Sequence, residues 1–282
     1  MTIFDRVRMV GKILAIMSQN RSQPPYGKAP GTIGASSLLF FYGDVHSQRG
    51  QDGILAEIFR RLQIETGQFV EFGAWDGIYL SNCRLLYEKG WQGVFIEADA
   101  ERYKSLLGNY DNEARCIHAV VGTKNGLRLI DLLTLNDVDP KVVTFVSIDV
   151  DGQDLEIFAT MGFTPPVVLV EGGFSFSPYL NKRMPDEVAA QDLQQPLPVI
   201  CDTAKKIGYV PVCFCQDTYF VRRDLAAPFH AADPITLYAE AFRFMPIDFR
   251  ENLIRFRQQS RAIRECEQEF FGYFSADPLG YS

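Results

Sequence analysis

The residues best suited to chemistry gather around one short run, Val70-Glu71-Phe72-Gly73-Ala74-Trp75-Asp76-Gly77, where an acid lies within an apolar stretch and a G-x-x-x-G turn opens a helix. Glycines at such a turn let backbone and ligand come close. A dinucleotide site would show G-x-G-x-x-G and seat a diphosphate on the helix N-terminus. This turn instead carries Glu71 and Asp76 and no basic residue, a charge pattern that repels a diphosphate and suits a cation. S-adenosylmethionine, with its sulfonium and ammonium groups, is such a ligand. A second acid, Glu97, ends the run Phe95-Ile96-Glu97-Ala98-Asp99, 20 residues beyond Gly77. At the tip of a second strand it can accept hydrogen bonds from both ribose hydroxyls of an adenosine.

Three further acids can meet these at one mouth of a sheet: Asp149 and Asp151 flanking the end of a fourth strand, and Glu171 ending a fifth. Methyl transfer from a sulfonium needs alignment and a dry pocket, but an alcohol acceptor must also lose its proton. That calls for a general base or for a divalent metal such as magnesium, and any of the three acids could serve as base or oxygen ligand. The plainer reading is that Asp149 bonds backbone amides before a helix and that Asp151-Gly152 is turn chemistry. Of the three histidines, His118 reads as a satisfied core residue of the third strand, while His46 adjoins Ser47-Gln48 and could reach the pocket. Trp75 could wall the pocket or fill the core.

These residues need a scaffold. Apolar runs predict strands at Phe69–Phe72, Val94–Glu97, Cys116–Val121, Val142–Asp149, Val167–Val170, Tyr209–Phe214 and Thr218–Arg222. Amphipathic stretches between them predict helices near Ser81–Lys89, Glu101–Tyr110, Leu127–Leu133, Gln153–Met161 and Val199–Ile207, preceded by one from Gly53. Regular strand–helix alternation means a doubly wound, Rossmann-like parallel sheet covered on both faces. The last two strands follow too closely for a parallel crossover, so they pair antiparallel or lie apart. Ser47 can cap the first helix of this block and Gln51 can bond back to it. The aromatic, polar stretch from Phe174 to Arg183 is long for a connection and reads as a lid or acceptor site, or else as an excursion packed on its own aromatics.

Helical extensions flank this block. Ile3, Val7, Val10, Leu14 and Met17 form one stripe, followed by a Ser/Gly/Pro-rich linker to Ser37. Past Asp224 a helical region broken at Pro246 puts Phe249, Leu253, Phe256, Ile263, Cys266 and Phe270 on an apolar face, able to support a homodimer or cover the sheet edge, with six arginines outside it. The composition, 47% apolar and 22% charged over 282 residues, is globular. A net charge of -7 disfavours nucleic acid and anionic membrane as partners. Apolar runs are too short for a membrane span or signal-peptide core, and six scattered cysteines without C-x-x-C read as reduced thiols of a cytoplasmic protein.

From about Ser47 to Leu225, some two thirds of the chain, the sequence resembles the FkbM-type branch of class I S-adenosylmethionine-dependent methyltransferases. The resemblance is carried by Ser47-Gln48-x-x-Gln51-Asp52-Gly53, the Glu71 to Gly77 turn, Ser81-Asn82, Gly90-Trp91-x-Gly93 leading to Glu97, Ser147-Ile148-Asp149-Val150-Asp151-Gly152, Val170-Glu171, and Gly208-Tyr209 leading to Tyr219-Phe220-Val221-Arg222. It implies a seven-stranded sheet with the last strand antiparallel, and cofactor contacts at Glu71, Gly73, Gly77 and Glu97. Neighbours within the same motifs, Ala74, Trp75, Ser81, Asn82, Ala98 and Asp149, join that expected set, as do Gln48 and Asp52. Asp151, where the family often has Glu, and Gly172-Gly173 after Glu171 depart from its pattern. The implied organisation is an N-terminal helix and linker over 1–45, a methyltransferase domain over 46–225 and a C-terminal helical extension over 226–282. The expected activity is O-methylation of a small hydroxylated acceptor, a polysaccharide sugar or secondary metabolite. The alternatives are a non-catalytic adenosine-ligand module for assembly and an NAD-dependent oxidoreductase, which the acidic turn disfavours.

Overall fold

A computed structural model describes residues 37–110, 114–122, 126–150, 152–189 and 194–280. The expected N-terminal stripe, most of the linker and Asp151 lie outside the described residues.

Seven strands form one sheet: β1 (Gln68–Phe72), β2 (Gln92–Glu97), β3 (Arg115–His118), β4 (Val143–Ile148), β5 (Val167–Glu171), β6 (Tyr209–Cys215) and β7 (Asp217–Arg222), in the order 3-2-1-4-5-7-6. The neighbours among β1 to β5 pair parallel, and β7 runs antiparallel between β5 and β6. This is the Rossmann-like sheet expected, with its antiparallel last strand. The reason is local. Only Gln216, with φ 65°, separates β6 from β7, and one residue can make a hairpin but no crossover.

Helices flank the sheet: α1 (Gln51–Leu62), α2 (Arg84–Glu88), α3 (Ala100–Tyr110), α4 (Leu129–Leu135), α5 (Asp154–Thr160), α6 (Asp186–Ala189) and α7 (Leu197–Lys206). Phe69, Val70, Phe95, Phe145, Val146, Val167 and Val168 are sealed at the centre, as expected where helices cover both faces. At the entry to α1, the Ser47 hydroxyl accepts the Asp52 N–H (3.0 Å) and Gln51 Oε1 bonds back to the Arg49 N–H (2.6 Å). No helix among the described residues is long and apolar enough to cross a membrane, and all six cysteines are free thiols.

The C-terminal helices are α8 (Pro234–Phe244), α9 (Ile247–Gln259) and α10 (Arg261–Phe271), with Pro246 capping α9 at the expected break. Leu237, Tyr238, Ala241 and Phe242 join the same hydrophobic core as the sheet. Three expectations need correction here. Phe256 and Phe270 of the expected apolar face are exposed. Arg257, expected outside, is fully buried against an equally buried Glu267, because a guanidinium whose donors all find acceptors can be enclosed. The third strand ends at His118, short of Val121, and His118 is not a core residue: it is exposed, stacked on Tyr103, with Nε2 3.0 Å from the Ala98 carbonyl.

The stretch after β5 is packed, not poised over the cavity. Phe176 and Leu180 are sealed under Ile263 in a satellite core, and the Phe174 carbonyl accepts the Tyr238 hydroxyl (2.7 Å). The Ser175 carbonyl accepts from Arg257 (2.7 Å), and the Ser177 N–H donates to Glu267 (2.8 Å). Phe174 to Leu180 is therefore packed, but against β6 and the C-terminal helices and not on its own aromatics as expected.

Candidate active site

A cavity of about 470 Å³ opens where β1, β2, β4 and β5 end. In an open α/β sheet this is where neighbouring connections diverge to opposite faces and leave a crevice. The fold brings Gln48, Glu71, Gly73, Ala74, Trp75, Ser81, Asn82, Glu97, Ala98, Asp149 and Glu171 to its wall, residues spread over 124 positions of sequence.

Glu71, on β1, is 5% exposed, and each of its carboxyl oxygens is engaged, one by the Ser81 hydroxyl (2.6 Å) and one by the Asn82 N–H (2.7 Å). Burial outweighs those bonds and pushes its pKa up to about 7. Asn82 is buried in turn. Its amide donates to the Ser147 hydroxyl of β4 (3.1 Å), and among the described residues its carbonyl oxygen Oδ1 has no donor.

Glu97 closes the turn after β1. One of its oxygens accepts the Trp75 N–H (2.8 Å) and the other the Asp99 N–H (2.7 Å). The first bond helps hold Trp75 at φ 50°, a conformation unfavourable for so large a residue. Gly73 is required here for a different reason: at φ 72° any Cβ would run into the Asp149 carbonyl. Trp75 is 43% exposed on the cavity rim, with the Arg102 guanidinium 4.2 Å from its ring centroid and Tyr79 edge-on at 5.9 Å.

The far end is acidic. Glu171 is hydrogen-bonded to Asp149 and takes the Gln194 amide (2.5 Å). Burial first, then the Asp149, Asp154 and Asp217 charges, drive its carboxyl far above the usual range and into the neutral form. Asp154, the first residue of α5, accepts the Val150 and Gly152 N–H groups (2.8 and 3.0 Å). Asp217 accepts the Gln51 amide (2.7 Å). Burial, followed by the Asp149 charge, raises both to about 7.

Two expected contacts are not in the wall. Asp52 gathers the Val45, His46 and Ser47 N–H groups on one oxygen (2.7, 2.8 and 3.0 Å) and so shapes the loop carrying Gln48. Gly77 lies against Tyr110 and Leu106, which leave no room for a side chain. His46 does not line the cavity and pairs with Glu88 (3.1 Å). Among the described residues no three His, Cys, Asp or Glu side chains are arranged to hold a metal.

Sequence reasoning missed Arg102, Gln194 and Asp217. Arg102 left a signal, since Asp99 caps its turn and places it on the exit of β2. Asp217 left none, because only the β5–β7 pairing sets it opposite Glu171.

No protein-family model matches this chain, and no curated protein does. Among solved structures it is similar to an O-methyltransferase from Bacillus cereus in complex with S-adenosylhomocysteine, at 14% identity and TM-score 0.39, over 75% of this chain and 91% of that one. It is also similar to the S-adenosylhomocysteine-bound methyltransferase PaMTH1 of Podospora anserina, at 12% identity and TM-score 0.38, over 74% and 86%.

Proposed function

We propose that this protein is an S-adenosylmethionine-dependent O-methyltransferase of the FkbM-type branch its motifs resemble, acting on a small hydroxylated acceptor. The observation that carries the reading is the acid-lined cavity at the crevice of the sheet. Arg102 is the only basic residue in its described lining, and that guanidinium is stacked on Trp75 at the β2 end. Such a wall favours a cationic ligand over a diphosphate.

The residues fit the cofactor. Each Glu97 oxygen has accepted one backbone N–H and keeps a lone pair for a ribose hydroxyl. Glu71 and the undonated Asn82 Oδ1 offer acceptors to an ammonium. Ala98, Trp75 and Gln48 supply walls around these anchors. When bound, S-adenosylmethionine supplies an electrophilic methyl group.

The chain's own work is alignment, exclusion of water and removal of a proton. Glu171, held neutral, is a poor base, so the proton of the acceptor hydroxyl goes to Asp149 Oδ. The Glu171 carboxyl then steadies Asp149 by donating to it. Asp151, adjoining this pair in sequence, stays a candidate for the same task.

Titration calorimetry with S-adenosylmethionine, S-adenosylhomocysteine and NAD tests the reading. Micromolar binding of the first two is expected. Binding of NAD alone would end the proposal, and cofactor binding without methyl transfer to any hydroxylated acceptor would leave a non-catalytic module.

A further inference from the structure

The wall of the cavity changes character at Glu97. Toward β1 it is polar, with Glu71, Ser81 and Asn82. Toward β3 it turns apolar: the tips of β2 and β3 pair at Glu97 and His118, and the chain leaving them lines the cavity with Ala98, Ala119, Val120 and Val121. A ribose held on Glu97 therefore sends its flat, largely apolar base toward β3 and its charged tail toward β1. Among the described residues, two polar side chains, Arg102 and Gln153, line the apolar side as well. Gln153 Oε1 lies close to Gly122, at the exit of β3, and its amide suits the edge of a base, not its face.

Arg102 is fixed in place, yet its donors are unused. Asp99 accepts its backbone N–H (2.9 Å) and so sets it on the first turn of α3, just past β2. Its guanidinium lies 4.2 Å from the Trp75 ring centroid, and among the described residues it donates to no carboxylate or carbonyl. A guanidinium is planar and stacks on aromatic rings; the indole takes one of its faces and leaves the other to a second ring. An independent observation concerns Trp75. Its backbone is held at φ 50°, in the left-handed region that a bulky residue avoids, and its ring stays 43% exposed even with Arg102 against it. Strain of this kind persists where the side chain it presents is used, and here that use is not burial.

We infer that Arg102, docked on Trp75, holds the purine of the cofactor, with the base lying against the face of the guanidinium that the indole leaves open. The charge fits this place. A cation at the base end is separated from the sulfonium by the whole ribose, so its repulsion is least there, and the base itself is neutral. The inference rests on the methyltransferase reading and adds to it a residue that grips the base and takes no part in methyl transfer.

The test uses the full chain as wild type, Arg102→Ala and Arg102→Lys. Calorimetry measures S-adenosylhomocysteine binding. Ligand-observed NMR measures adenosine, which has the base without the amino-acid tail, and S-ribosylhomocysteine, which has the tail without the base. Arg102→Ala is expected to weaken S-adenosylhomocysteine and adenosine alike, by about fivefold or more, and to leave S-ribosylhomocysteine within about twofold. Arg102→Lys keeps the charge but has no flat face, so it should behave like the alanine variant. Both variants should melt as the wild type does, since Arg102 is exposed. Unchanged adenosine binding in Arg102→Ala overturns the inference. So does an equal loss of the base-free ligand, which would make Arg102 a support of the Trp75 turn alone, and so does full rescue by lysine, which would make it a point charge. In each of these cases the wild type still binds S-adenosylhomocysteine and the methyltransferase reading stands. If the wild type does not bind it, that reading falls and adenosine alone decides: binding that Arg102→Ala weakens retains a purine seat, and any other result removes it.

Discussion

Glu171 and Asp217 stand directly opposite each other across the antiparallel β5–β7 ladder, two acids on one face of the sheet's end. Among the described residues neither has a lysine or arginine in hydrogen-bonding contact, and each is relieved by an amide and by a raised affinity for protons.

The stability of the cofactor-free protein should therefore fall as pH rises. Glu71, Asp154 and Asp217 are each pushed up to about 7 from ordinary values near 4, so the folded state holds protons that the unfolded chain releases. The favourable contribution is complete below the unfolded values and is lost as pH climbs through 7. Melting temperature is expected to drop by several degrees between pH 5.5 and pH 8, and Asp217→Asn should flatten the curve. A profile that rises over this window would show these carboxyls to be paired with cations.

Glu97→Ala should weaken S-adenosylhomocysteine binding by roughly 1 to 3 kcal/mol, the loss of a charged acceptor. It also releases the Trp75 N–H and with it one restraint on a strained turn. Calorimetry reads the affinity. An unchanged value would place the ribose elsewhere.

Asp149→Asn keeps the side chain's size and loses its basicity. Turnover should fall by about 100-fold or more if Asp149 takes the acceptor's proton, measured as S-adenosylhomocysteine formation, while the cofactor still binds. Full turnover in the variant would shift the base to Asp151.

Arg257→Ala should destabilise the protein by roughly 3 to 5 kcal/mol, because it strands the buried Glu267 carboxylate. Replacing the pair together, Arg257→Met with Glu267→Leu, should recover much of the loss in urea unfolding. If the single variant is as stable as wild type, the pair is not enclosed in solution.

Much of the fold was legible in the sequence because parallel strands buried on both faces read as short apolar runs, and β1, β2, β4 and β5 each carry one. The acids at their tips could be named for the same reason: a strand's last residue is where polarity returns. What could not be read was the way distant pieces close on one another. Arg257 looked like any solvated arginine between acids, since only the meeting of α9, α10 and the loop after β5 encloses it. Exposure of Phe256 and Phe270 escaped for a related cause: helical spacing defines a face but not how much of it a neighbour covers. Asp52 lay in a motif associated with the cofactor, yet the structure gives its charge to three backbone amides.

The Arg257–Glu267 lock has a consequence for the nascent chain. Ser175 and Ser177 emerge from the ribosome 82 and 90 residues ahead of the groups that will bind them. Until that later stretch is translated, Phe176 lacks Ile263 above it, and the strand bearing Glu171 leads into an unfastened loop. Vectorial synthesis thus delivers the described cavity wall, Gln48 to Glu171, before the groups that fasten the loop after β5, leaving an interval in which a holdase has an apolar residue to grip.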